Sequence, residues 1–158
     1  MTRTASQCLG SAIRIECLAQ DLYTGLAGTF LHQPYLRELF ERLAAEEGQH
    51  AMRIRLLDRH QGKSPWSQEM VDRVSADLDA MATEIAAMGA SFRTLPSGAD
   101  ARPVLRRLAE MELRFGSVHA EELARSAEPE IRKLFTTLAG QDARHRQFIE
   151  DALGKFAA

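Results

Sequence analysis

Two acidic residues each have a histidine three positions later, Glu47 with His50 and Asp142 with His145, and the two pairs stand 95 residues apart inside apolar stripes. Shifting the second half of the chain back by 95 places Pro129 on Pro34, Ile131 on Leu36, Arg132 on Arg37, Leu134 on Leu39 and Phe135 on Phe40. The same shift places Leu138 on Leu43, Ala139 on Ala44, Asp142 on Glu47 and His145 on His50. A weaker match at a shift of 96 relates Glu112 to Glu16, Val118 to Leu22 and His119 to Tyr23. A chain that repeats one helical hairpin this way can build a single site of approximate two-fold symmetry, half from each copy.

Apolar residues recur at gaps of three and four, and period-two alternation is absent, so the chain reads as helix throughout. Punctuation sets the elements. A first helix spans roughly residues 4 to 31 and ends at His32-Gln33-Pro34, where Pro34 suits the first turn of the next helix. The second helix runs to about Arg59, and Gln61-Gly62-Lys63-Ser64-Pro65 breaks it. Residues 67 to 92 read as a less regular helix, followed by the loop Thr94-Leu95-Pro96-Ser97-Gly98. Asp100 is placed to cap a third main helix reaching about Ser126, and Glu128-Pro129 opens a fourth reaching about Leu153. Two short connections imply antiparallel neighbours, and the long middle connection can carry the chain from one end of a bundle to the other. The expected fold is an all-α, ferritin-like four-helix bundle: two antiparallel helical hairpins joined by a long, partly helical crossover, forming one domain over residues 1–158.

The core stripe of each helix shows the same anomaly. Leu9, Ile13, Glu16, Gln20, Tyr23, Ala27 and Phe30 share one face of the first helix. Leu36, Phe40, Leu43, Glu47, His50, Ile54 and Leu57 do so on the second. Leu105, Leu108, Glu112, Phe115 and His119 follow on the third, and Ile131, Phe135, Leu138, Asp142, His145, Ile149 and Ala152 on the fourth. Every stripe is interrupted near its middle by a carboxylate. Four carboxylates in one core would cost several kcal/mol each without compensation. Two divalent ions would balance their charge, and a carboxylate and a histidine three apart share a helix face, so both can reach one ion. Counted from the two turns, near Gln33 and Ala127, and at about 1.5 Å per residue, all six residues fall within about 5 Å in height. The metal ligands read from this pattern are Glu16, Glu47, His50, Glu112, Asp142 and His145.

At these residues the chain resembles the ferritin-like di-iron carboxylate family, notably rubrerythrins and bacterioferritins. The resemblance covers nearly the whole chain and implies Glu47 and Asp142 as bridging carboxylates, Glu16 and Glu112 as terminal ligands, and His50 and His145 as ligands of one metal each. Tyr23 matches a tyrosine that members often place beside the site. His119 lies on the site side of its helix, as a hydrogen-bonded core histidine, an added ligand or a proton carrier beside the metals. Four departures bear on activity. Asp142 replaces the usual Glu and is one methylene shorter, which favours weaker bridging or a single metal. Phe115 stands where rubrerythrins carry an extra Glu. Gly48 stands where bacterioferritins place the haem-binding Met, so no haem is expected. The chain ends soon after the fourth helix, without the fifth helix of a 24-subunit cage.

The resemblance implies a non-haem di-iron oxidoreductase that oxidises ferrous iron or reduces peroxide or O₂, with two Fe ions (Mn or Zn being the other metals weighed) and an external electron donor. A ferritin-like hydroxylase of an organic substrate and a non-catalytic metal-binding bundle are the alternatives. A homodimer is expected by the same likeness. Basic residues form no run, so no nucleic-acid partner is expected. No apolar stretch is long enough to span a membrane, and MTRTASQCLGSAIRIE meets charge too soon for a signal-peptide core, which points to the cytoplasm. Cys8 and Cys17, nine residues apart on one helix, are about 13 Å apart and cannot pair with each other. The remaining polar and sulfur-bearing residues have plainer readings. Gln20 lies beside the site or at the core edge, His32 and His60 sit near helix ends, and Glu46, Glu121 and Glu122 lie on solvated faces. Trp66 is a packing anchor, Met52 lies near the site but out of place for haem, and Met70, Met81 and Met88 pack the crossover onto the bundle.

Overall fold

The computed structural model describes residues 3–60, 66–126 and 128–156. The break expected at 61–65 and the turn centre expected at Ala127 lie outside the described residues, as do the side chains of His60 and Glu122. Five α-helices succeed one another: α1 (Ala5–Thr29), α2 (Pro34–His60), α3 (Gln68–Arg93), α4 (Ala101–Ser117) and α5 (Pro129–Phe156). The fold is an all-α, ferritin-like bundle, and no strand occurs among the described residues.

Local chemistry sets the helix starts. Thr4 opens α1 with a capping box: its hydroxyl accepts from the Gln7 amide at 3.2 Å, and the Gln7 side chain accepts from the Thr4 amide at 2.8 Å. Ser67 caps α3 by accepting from the Met70 amide, and Asp100 caps α4 by accepting from the Arg102 amide. Between α3 and α4 the chain turns through Gly98 at φ 84°, a left-handed conformation that favours glycine.

The α1–α2 and α4–α5 hairpins are the most extensively packed pairs, and α2 meets α5 between them. The crossover is a complete helix of 26 residues lying along α1. This explains why α1 is buried on two faces. One carries Glu16 and Tyr23 toward the bundle centre. The other carries Cys8, Ala12, Ile15, Ala19, Leu22 and Leu26, again at gaps of three and four, against the stripe Val71, Val74, Leu78, Met81, Ile85, Met88 and Phe92 of α3. Met81 and Met88 are buried and Met70 partly so, as expected of a helix packed onto the bundle. Trp66 anchors the start of this segment, its indole N–H donating to Ser126 Oγ at 2.7 Å. No helix among the described residues is long and apolar enough to cross a membrane.

The third main helix does not run unbroken to Ser126. After Ser117 the backbone widens into a π-helical turn, Val118–Glu122, and then tightens into a 3₁₀ turn, Leu123–Arg125. A π turn inserts extra backbone and shifts the register of the side chains beyond it, a device common at functional sites. Here it carries His119.

Candidate metal centre

Glu16, Glu47, His50, Glu112, Asp142 and His145 come together in one layer at the bundle centre, none more than 1% exposed. Each stands where its stripe crosses the axis, with apolar turns above and below. Phe40 and Leu43 precede Glu47 and Ile54 follows His50, while Phe135 and Leu138 precede Asp142 and Ile149 follows His145; all are buried.

Two groups of three can each hold an ion. In the first, ligand atoms of Glu16, Glu47 and His50 all lie within 4.8 Å of one another; in the second, those of Glu47, Glu112 and His145 do. Glu47 is common to both, the place of a bridging carboxylate. The imidazole rings of His50 and His145 stack across the centre with centroids 5.4 Å apart and planes 9° from parallel. His145 Nδ1 stands 3.0 Å from Glu47 Oε1 and 3.6 Å from Glu112 Oε2. His50 Nδ1 stands 3.0 Å from Glu47 Oε2 and 3.4 Å from Glu16 Oε2, near enough for charge interaction but out of hydrogen-bonding alignment.

Asp142 is in the layer but in neither group. Its Oδ2 lies 2.7 Å from His119 Nδ1, while its Oδ1 has no hydrogen-bond partner. The other ring nitrogen of His119 faces Glu16 Oε1 at 3.3 Å. His119, buried against Phe135 and Phe115, is thus hydrogen-bonded to Asp142 of its own hairpin and stands within charge-interaction distance of Glu16 of the other, without a hydrogen bond to it. Tyr23 reaches across in the other direction. From α1 its hydroxyl donates a hydrogen bond to Glu112 on α4.

The electrostatics follow from crowding. Burial raises the Glu47 carboxyl, the nearby Glu112 charge adds to this, and the two outweigh His145 and His50 to leave it at about 8. Glu112 is also raised, by burial first, against the pull of His145. Burial opposes ionisation of Glu16 too, but its proximity to His119 and His50 wins and lowers it. Burial would lower the histidines, yet the facing carboxylates overcome it: His50 rises to about 9, His119 to about 10 and His145 to about 11. Left to its own groups, the layer holds protons where it needs positive charge, and an ion would replace them.

The donor set also fits a metal by its unsatisfied atoms. Apart from Arg37 Nε, every buried side-chain polar atom without a hydrogen-bond partner among the described residues belongs to this layer: Glu16 Oε1 and Oε2, Glu47 Oε2, His50 Nδ1 and Nε2, Glu112 Oε2 and Asp142 Oδ1. Buried polar atoms are paired as a rule, so lone pairs concentrated at one place mark a ligand site. Carboxylate oxygens with imidazole nitrogens suit Fe²⁺, Mn²⁺ and Zn²⁺.

Glu46, expected on a solvated face, is part of the site's surroundings. Only its outer part is exposed, and its Oε2 lies 2.9 Å from His145 Nε2. The spacing carries a signal for it: from Leu43 to Glu46 to His50 the gaps are three and four, as good a seam as the one through Glu47. Gln20 also lies at the layer's edge. Its amide occupies the space beside Gly48, where a Cβ would come within 2.6 Å of Nε2, so any larger residue at 48 must displace it. Between α4 and α5 an open groove of about 800 Å³ is lined by Glu112, Gly116, Ala120, Ala139, Ala143 and Gln147. His32 is exposed, Met52 points to solvent, and Cys8 and Cys17 are free thiols.

A family model, Rubrerythrin, matches residues 7–114, more than half of the chain. The matched stretch holds Glu16, Glu47, His50 and Glu112; the α5 residues lie beyond it and rest on the geometry above. No curated protein and no solved structure gives a match. With the family model spanning α1 to α4 and the carboxylate–histidine layer at the bundle's centre, the chain belongs to the rubrerythrin family.

Proposed function

We propose that the protein is a non-haem di-iron oxidoreductase that oxidises ferrous iron or reduces peroxide or O₂ at this centre. The observation that supports the reading is the pair of buried groups sharing Glu47, each of which could hold one ion. In this reading Glu16 and His50 complete one ion's protein ligands, and Glu112 and His145 the other's. When bound, two ferrous ions supply the two electrons that convert peroxide, with two protons, into two waters.

The chain's own residues do the rest. Tyr23 holds Glu112 through its hydroxyl and stands within reach of the centre as a hydrogen-bond donor. His119 holds Asp142 through its Nδ1 and stands with Nε2 3.3 Å from Glu16 Oε1, placed to carry a proton beside the centre. The apolar turns on either side exclude water, leaving the α4–α5 cleft as the approach for a small oxidant. Electrons return from an external donor or from further Fe²⁺, and the protein works in the cytoplasm as a homodimer.

The test is elemental analysis after anaerobic Fe²⁺ loading, followed by stopped-flow exposure to O₂ and H₂O₂. Two irons per chain, oxidised by either oxidant, are expected. A diferrous protein inert to both would remove the redox reading and leave a metal-binding bundle. The cleft favours one second reading, hydroxylation of an organic substrate. Its size suits a small molecule and its wall includes Glu112. Product formation from a candidate substrate, lost when Ala143→Leu fills the cleft while iron loading persists, would select it.

A further inference from the structure

The two hairpins carry equivalent grooves between their helices, and only one of the two is lined by a residue of the carboxylate–histidine layer. Between α1 and α2 a hollow of about 340 Å³ is lined by Thr24, Ala27, Gly28, Leu31, Glu41 and Ala44. The repeat relates Thr24 to Ala120 and Ala44 to Ala139, and both of these line the larger groove of about 800 Å³ between α4 and α5. That groove is also lined by Gly116, Ala143 and Glu112, and Glu112 belongs to the layer. Its counterpart between α1 and α2 includes no residue of the layer.

One change within the repeat accounts for the difference. Gln20 stands one turn after Glu16, and its equivalent under the 96-residue shift, one turn after Glu112, is Gly116. On the facing helices Gly48 and Ala143 are equivalent under the 95-residue shift, each directly after a carboxylate of the layer. In the first hairpin the Gln20 amide lies so close against Gly48 that a Cβ there would come within 2.6 Å of Nε2. In the second hairpin position 116 has no side chain, and an added Cβ would first meet Asp142 Cβ at 3.7 Å and Ala139 O at 3.9 Å. The space that Gln20 fills in one hairpin is therefore left open in the other. Glu112, in the wall of the open groove, is 1% exposed and its Oε2 has no hydrogen-bond partner. A buried lone pair left unpaired beside an open groove marks the side from which a ligand is taken up.

We propose that Gln20 plugs the α1–α2 side of the centre, and that Gly116 leaves the α4–α5 groove as the route by which a small anion or peroxide reaches the metals. The inference rests on the di-metal reading above. It gives Gln20 a role in controlling what enters, apart from the residues that hold the ions. A plug changes the rates of entry and exit by the same factor, so it moves kinetics and leaves the equilibrium affinity alone. Filling the α4–α5 groove with a larger side chain acts in the same way on the other side, and removing the plug then opens the equivalent route.

The experiment is stopped-flow binding of azide to protein loaded with iron and oxidised with ferricyanide, followed by the absorption band of azide with ferric iron. It compares wild type, Ala143→Leu, Gln20→Ala and the double variant, with the iron content of each measured first. Ala143→Leu narrows the groove and is expected to slow azide association about 10-fold, with the equilibrium affinity within about threefold of wild type. Gln20→Ala alone opens a second route in parallel and raises the rate by no more than about twofold. In the double variant Gln20→Ala restores association to within about threefold of wild type. Gly48→Ala, which displaces the Gln20 amide without removing it, should restore the Ala143→Leu protein in the same way. A merely structural role for Gln20 would add its damage to that of Ala143→Leu and would not reverse it. Unchanged association in Ala143→Leu, or no recovery with either Gln20→Ala or Gly48→Ala, would overturn the proposal. Should Ala143→Leu fail to load iron, Ala120→Leu in the same groove takes its place. Wild type that holds no pair of irons would refute the di-metal reading and the proposal with it, and the iron content reports this before azide is added.

Discussion

The two hairpins share one pattern but meet at the centre with different side chains. Tyr23 on α1 and His119 after α4 occupy equivalent positions, and each reaches across to the lone glutamate of the other hairpin. Tyr23 has one polar atom and stops at Glu112. His119 has two and also takes Asp142. Glu47 and Asp142 are likewise equivalent, yet Glu47 spans both ion-binding groups while Asp142, one methylene shorter, is turned to His119. Symmetry of backbone thus coexists with asymmetry of chemistry. The α1–α2 half supplies the shared carboxylate and the second half supplies the histidine braced by Glu46.

Exchanging alanine for the two equivalent carboxylates separates the halves most widely. Glu47→Ala removes the only residue common to both groups and is expected to abolish loading of both ions. Asp142→Ala is expected to retain at least one. Elemental analysis after anaerobic Fe²⁺ loading reads this directly, and equal losses would mean that Asp142 bridges as fully as Glu47.

The next effect is on pH dependence, where several groups of both halves act in one direction. The folded values of His50, His119 and His145, about 9, 10 and 11, lie above the ordinary histidine value, and Glu47 at about 8 lies above the ordinary carboxylate value. A group raised by folding stabilises below its unfolded value and loses that stabilisation as pH rises through its folded one. Metal-free protein should therefore lose stability steadily in urea melts from the ordinary carboxylate value of 4.5, where Glu47 begins to contribute, to about pH 11, the raised value of His145. Bound metal needs unprotonated imidazoles, so its stabilisation should grow over the same range and reduce or reverse the slope.

Core substitutions compare the halves away from the candidate ligands. Phe40 and Phe135 are repeat equivalents, both fully buried. Phe40 packs on Tyr23 and Phe30, and Phe135 packs on His119. Each Phe→Ala should cost about 3–5 kcal/mol in chemical denaturation. Phe135→Ala should also loosen His119 and so change the second-half site, whereas a purely additive result with His119→Ala would show the ring contact to be incidental. Smallest is Tyr23→Phe. It leaves a Glu112 oxygen without its donor and should destabilise the metal-free protein by about 1–3 kcal/mol. That difference should shrink once metal occupies the centre.

Much of this architecture is legible in the sequence because helical stripes obey simple geometry. Of the residues placed on the four stripes, all are buried except Ile13, Gln20 and Leu57, which lie at the core's edge. Glu16, Glu47, His50, Glu112, Asp142 and His145 share a layer because counting residues from a turn gives height. The second buried face of α1 and the stripe Val71, Val74, Leu78, Met81, Ile85, Met88 and Phe92 of α3 have the same regular spacing, but spacing alone does not say that these two stripes pair. The π turn at Val118–Glu122 is hidden for a related reason: a local change of backbone pitch leaves no mark on residue identity. Glu46 is hard to single out because charged residues flanking a seam are solvated in most helices, and only a neighbour across the seam makes the difference.

By itself, the order of residues determined the helices, their repeat, the height of each carboxylate and the presence of histidines at the same level. All of these are one-dimensional properties, set by spacing along the chain and by the rise of a helix. Only the tertiary structure decided which lone pair faces which proton: that Glu47 spans two groups, that Asp142 is taken by His119, and that His145 has a carboxylate behind it while His50 has none. Those choices depend on which side chains of different helices come within bonding distance, and packing sets such distances where sequence separation does not.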